Sequence, residues 1–148
     1  EEVVMRKKYL RTGMLLLPIA QFWWACAPMT ARFDPVAYER TISLKVETLA
    51  LMAKADEPFD QHAEAVAALQ KELEKAYEAA KGRPRNDYTT LQWQIIKNPR
   101  GNLVGGFFRH WQEKGALSPV MVAESSKLIA DAFDQIIGLE GGKIKPGK

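Results

Sequence analysis

A chain of 148 residues with 47% hydrophobic side chains is long enough for one domain with a true core and too short for two. Its formal charge of +3 is concentrated at the front: residues 1–25 carry four of the 21 basic and two of the 18 acidic residues, and the near-neutral remainder argues against a nucleic-acid partner. A single cysteine, Cys26, excludes an internal disulfide and the paired-cysteine motif of covalent haem.

The front segment has the parts of an export signal. Arg6, Lys7, Lys8 and Arg11 follow Met5 as a positive leader, and Met14 to Ala25 form an apolar run. Pro18 and Gln21 interrupt that run, which falls short of the roughly 20 apolar residues of a spanning helix, and Trp23 and Trp24 favour a membrane interface over its centre. Glu1 to Val4 lie ahead of a natural-looking start at Met5 and are set apart from the fold. Ala25-Cys26-Ala27 fits a small-x-small secretory cut, but that cut leaves Pro28 beside the scissile bond, where a tertiary amide is a poor peptidase substrate. Trp23-Trp24-Ala25-Cys26 resembles the lipobox of bacterial lipoprotein precursors, with Ala25 matching and Trp23 standing where leucine is usual. The resemblance covers residues 5 to 26 and implies that the Cys26 thiol is acylated with diacylglycerol and that Cys26 becomes the mature N-terminus. It implies a place in the bacterial cell envelope, anchored and facing the periplasm or exterior. With Ala27-Pro28 after the cysteine and no acidic residue there, it implies the outer membrane if the host is a diderm proteobacterium. An uncleaved anchor, and a helix of the body that is basic first and apolar second, are the alternatives.

The expected organisation is a signal or anchor over residues 1–25, a leash over 26–33, a helical domain over 34–138 and a flexible basic tail over 139–148. Asp34-Pro35 is a helix start: a side-chain acceptor for the free amides, then proline where its missing donor costs nothing. Tyr38, Ile42, Val46, Leu49 and Ala53 recur at helical steps from there, to about Ala55. Asp60 reads as a second N-cap with Phe59 as its hydrophobic staple, opening a helix that carries His62, Val66, Leu69, Leu73, Ala76 and Ala80 on one face and stops at Gly82. Asn86 to Thr90 opens a short helix with Leu91, Trp93, Ile95 and Ile96, ended by Asn98-Pro99. Leu103 to Trp111 reads as another short helix, softened by Gly105 and Gly106 and ending at Lys114-Gly115. Ser118-Pro119 opens the last, with Val122, Leu128, Ile129, Ala132, Phe133, Ile136 and Ile137 facing inward and Gly138 ending it. No stretch alternates with period two over a useful length. The predicted fold is all-α: a small antiparallel helical bundle of three long and two short helices.

Candidate sites are few. His62 and His110 lack the spacing and neighbouring glutamate of a zinc-protease helix, and no Glu-x-x-His, Gly-x-Ser-x-Gly or Walker pattern occurs, so no metal, cofactor or catalytic residue is expected. Asn102 to Gly106 could offer amides to an anion, although close helix packing explains the glycine pair as well. Trp93, Phe107, Phe108, Arg109 and Trp111 form the most conspicuous constellation, rings beside a guanidinium as interfaces and membrane surfaces use them. They are the expected partner or membrane contact, against the simpler alternative that the rings are core. Lys81-Gly82-Arg83-Pro84-Arg85 reads as a solvated loop that could touch anionic lipid headgroups, although its acidic neighbours argue against strong attraction.

The functional expectation is therefore a non-catalytic envelope lipoprotein, attached to the membrane through lipidated Cys26 and using its bundle to contact another envelope protein. Tethering would raise the local concentration of the bundle for such a partner. A soluble exported binding or inhibitor module is the second reading. An enzyme using His110 and scattered carboxylates is the third.

Overall fold

A computed structural model of the protein describes residues 31–145, so the expected signal segment, Cys26 and most of the expected leash lie outside the described residues. Among the described residues the chain is all helical, with five α-helices and no strand: α1 Pro35–Met52, α2 Ala63–Lys81, α3 Asp87–Lys97, α4 Val104–Lys114 and α5 Pro119–Glu140. Packing runs in a ring, α1 on α2, α2 on α3, α3 on α5 and α5 back on α1, with α4 laid against α3 at one end. None of these helices is long and apolar enough to cross a membrane.

Two helix starts follow the predicted chemistry. Asp34 accepts hydrogen bonds from the amides of Val36 and Ala37 at 3.0 and 3.2 Å, ahead of Pro35. Ser118 accepts from the amide of Met121 at 3.3 Å, ahead of Pro119. The start of α2 differs from expectation: Asp60 lies inside a 3-10 turn, Phe59–Gln61, and α2 begins at Ala63 without a side-chain cap. Backbone contacts explain it. The Phe59 amide donates to the Gly115 carbonyl and the Leu117 amide to the Ala55 carbonyl, both at 2.7 Å, so this turn is shaped by the α4–α5 connection and not by its own cap. α1 accordingly ends at Met52 and not near Ala55.

Helix α2 buries Val66, Leu69, Leu73, Ala76 and Ala80, the face its sequence predicts. Helix α1 does not follow its prediction. It buries Thr41, Leu44, Thr48 and Met52 and leaves Ile42 and Val46 exposed. Apolar residues lie all round this helix, so periodicity alone leaves its rotation open. Packing between α2 and α5 selects the face. The Thr41 hydroxyl is satisfied by donating to the Ala37 carbonyl at 2.8 Å. Lys45 then reaches Asp134 of α5 at 2.6 Å. Leu128 of α5, expected inside, is also exposed, as are Leu91 and Ile95 of α3.

Helix α5 runs through Gly138 to Glu140, so the tail expected from residue 139 begins later. The stop is a Schellman motif: the Lys143 amide donates to the Gly138 carbonyl at 2.9 Å and the Gly142 amide to the Leu139 carbonyl at 3.2 Å, with Gly142 at φ 69°. The Ile144 side chain folds back onto Gly138, where an added Cβ would lie 2.4 Å from the Ile144 Cδ1 and make that side chain turn aside. Residues 146–148 of the predicted tail lie outside the described residues.

The glycine pair of α4 serves close packing. A Cβ on Gly105 would lie 2.3 Å from the Lys97 carbonyl oxygen, and one on Gly106 only 1.7 Å from that of Gly101. Both contacts are to backbone, so close packing alone accounts for the glycine pair. Gly106→Ala should destabilise the protein by about 3 kcal/mol or more in urea denaturation, because backbone has to move. Gly82→Ala, whose nearest contact would be 3.5 Å at φ −72°, should be neutral or slightly stabilising.

Candidate functional site

The aromatic constellation is core. Trp111, Phe108, Trp93 and Phe107 are 0, 1, 2 and 5% exposed, so none of these rings offers a contact face. Trp111 stands edge-on to Phe59 with centroids 5.4 Å apart, and its indole Nε1 donates to the Glu57 carbonyl at 3.0 Å, locking the α1–α2 turn. Trp93 meets Phe133 edge-on at 6.0 Å between α3 and α5. Their burial follows from the ring of helices, which needs large apolar volume to close its centre and its α4 end. Arg109 alone of the five stays at the surface. There it braces the chain, its Nε donating to the Pro99 carbonyl and its Nη1 to Glu113 Oε1, both at 2.7 Å.

The two histidines do not meet. His62 lies on Trp111 with Nε2 2.7 Å from Glu57 Oε2, while His110 lines a surface groove between α4 and α5. No cluster of three metal-ligating side chains occurs among the described residues.

The side chains that do converge lie at the opposite end of the bundle, where the leash joins it. Arg83, in the loop between α2 and α3, donates from Nη1 to Glu140 Oε2 at 2.6 Å and from Nη2 to the Arg32 carbonyl at 2.8 Å, and its Nε lies 3.9 Å from Asp34 Oδ2. The Glu140 side chain is only 2% exposed and that of Arg83 19%. A carboxylate this buried is tolerable because a guanidinium holds it, and the guanidinium in turn spends its remaining donors on the incoming chain. Asn86 supports the loop by donating from Nδ2 to the Ala80 carbonyl at 3.1 Å, and Arg85 beside it takes a left-handed φ of 60°. Below the ion pair is a cavity of about 80 Å³ floored by Thr41, Ala76 and Trp93. That is room for water, well short of the roughly 300 Å³ of a small-ligand site.

Two other surface features bear on partners. Tyr88, Leu91 and Ile95, at 47, 50 and 44% exposure, form an apolar stripe on the outer side of α3. Between α1 and α2 runs an open groove of about 650 Å³ with Ala50, Ala65 and Ala68 in its walls. On its rim the Glu72 carboxyl is held below the ordinary carboxylate range, chiefly by its hydrogen bond from Lys75, with Arg40 and Lys71 adding attraction.

Sequence reasoning placed Glu140 in a solvated tail and Arg83 in a solvated loop, and so missed their pairing across 57 positions. The available signal was weak: an isolated glutamate just after an apolar helix, and an arginine between glycine and proline. Arg83→Met or Glu140→Leu alone should each cost about 3 kcal/mol by urea denaturation, while the double variant should recover most of that loss. Arg83→Met should also speed tryptic cleavage after Arg32. Trp111→Ala should cost ~3–5 kcal/mol, where a surface contact residue would leave stability nearly unchanged. No protein-family model, curated protein or solved structure matches this chain.

Proposed function

We propose that this chain is a non-catalytic, membrane-tethered protein of the bacterial cell envelope, exported on residues 1–25, acylated at Cys26 and using its helical bundle to bind another envelope protein. The observation that carries the reading is the position of the sole cysteine. Cys26 closes a positive leader and an apolar run, and only residues 27–31 separate it from the point where Arg83 takes hold of the Arg32 carbonyl. An extended leash of that length reaches on the order of 20 Å, which keeps the bundle close to the bilayer and raises its concentration for partners at the same surface.

Protein contact falls to side chains other than the rings first considered. Tyr88, Leu91 and Ile95 are the apolar residues that α3 turns outward, spaced so that one groove or helix face could cover all three. The surrounding surface is mixed in charge, as the rim of a protein contact is.

Intact-mass spectrometry of protein from its own host tests the tether. The expected mass is that of a chain beginning at Cys26 with fatty acyl groups added, and Cys26→Ala should release the protein from the membrane fraction. A bare thiol on a chain that retains residues 5–25 would overturn the reading.

A further inference from the structure

We infer that the leash end of the bundle is a basic face that seats on anionic lipid headgroups, so that the anchored domain stands on the membrane with its α1–α2 turn outermost. The inference rests on the tethering reading above and adds to it an orientation and a class of lipid.

The described residues carry equal numbers of basic and acidic side chains, but the leash end holds a local excess of basic ones. Residues 31–34, 81–87 and 139–145 are brought together by Arg83 and its partners. They hold Arg32, Lys81, Arg83, Arg85, Lys143 and Lys145 against Asp34, Asp87 and Glu140, three more positive than negative. Glu140 and Arg83 pair and offset each other, so the excess lies in the exposed side chains, where Glu78 offsets one charge by lying 3.4 Å from the Lys81 ammonium. At the other pole the turn over residues 53–64 is acidic, with Asp56, Glu57, Asp60 and Glu64 against Lys54, while the α4 segment tied to it carries Arg100, Arg109 and Lys114 against Glu113. In the sequence the Lys81 to Arg85 loop is flanked by acidic residues; the fold adds Arg32, Lys143 and Lys145 to it from distant stretches.

Distance then decides which pole a charged surface feels. Helix α1, 18 residues long, spans about 27 Å between the poles at 1.5 Å per residue, some three Debye lengths at physiological ionic strength. The leash joins at the basic pole, so a bilayer holding Cys26 lies nearest the side chains it attracts, while the acidic turn is screened from it. Arg32, Lys81, Arg85, Lys143 and Lys145 are all exposed there. Arg85 keeps its place at φ 60°, a backbone position that glycine or asparagine would adopt more easily. Phe33, 61% exposed between Arg32 and Asp34, adds a ring at the level where headgroups meet water.

The test supplies the tether chemically. A chain from Cys26 onward, which keeps every described residue of the core, is coupled through its only thiol to a maleimide lipid in vesicles of phosphatidylcholine, with or without phosphatidylglycerol. Tryptic cleavage after Arg85 is measured relative to cleavage after Lys54 in the same molecules, so that differences in protease concentration cancel. On anionic vesicles this ratio should fall about tenfold, return to the zwitterionic value in high salt, and stay at that value for Lys143→Glu/Lys145→Glu, whose substitutions lie in the exposed tail. The same ratio on both vesicles, or a fall that neither salt nor the double variant reverses, would overturn the inference. Because attachment is supplied by maleimide, that result would leave acylation of Cys26 untouched, and a bare Cys26 in the host would leave the measured orientation standing.

Discussion

Arg83 is the residue through which three separate stretches of this chain are held together. Its guanidinium occupies the loop between α2 and α3, receives the end of α5 through Glu140, and fixes the incoming leash through the Arg32 carbonyl. A point charge on a flexible stem could not satisfy all three directions at once; a planar fork with five donors can. Desolvating both charges is costly, and the arrangement survives because each partner removes the other's penalty. One consequence is structural, since the last turn of α5 stays helical past Gly138. The other concerns geometry: the chain leaves the bundle at a defined point and in a defined place relative to the surrounding charges.

At the far end the constraint is different in kind. There the α1–α2 turn is tied to the α4–α5 connection by two backbone hydrogen bonds and by the Trp111 indole on the Glu57 carbonyl. The closeness of α4 to the end of α3 depends on Gly105 and Gly106, whose missing side chains leave space for carbonyl oxygens. Large rings fill what the helices enclose. A small bundle has few ways to bury four such rings except in its only core, and this is why the aromatic constellation is spent on stability and the surface is left to α3, the α1–α2 groove and the charged poles.

The two ends together make the molecule polar along its length. A neutral body with an excess of one charge at one end behaves in an electric field as a dipole, and the proposed tether at that end would convert the dipole into an orientation. Binding surfaces on the flank, such as the Tyr88, Leu91 and Ile95 stripe, would then be presented sideways along a membrane, where a co-anchored partner diffuses in two dimensions.

Taken alone, the sequence determined the number, type and rough limits of the helices, because proline, glycine and N-cap side chains act within a few residues of themselves. Asp34-Pro35, Ser118-Pro119, Lys114-Gly115 and the inward face of α2 all follow from such local chemistry. Tertiary structure alone decided which side of α1 is buried, since a helix apolar all round has no preferred face until α2 and α5 pack against it. It alone decided that Asp60 caps nothing, that Gly138 does not end α5, and that Arg83 meets Glu140, for each depends on contacts between residues far apart in the chain. Periodicity records how one helix divides itself between oil and water; it carries no record of which neighbours arrive.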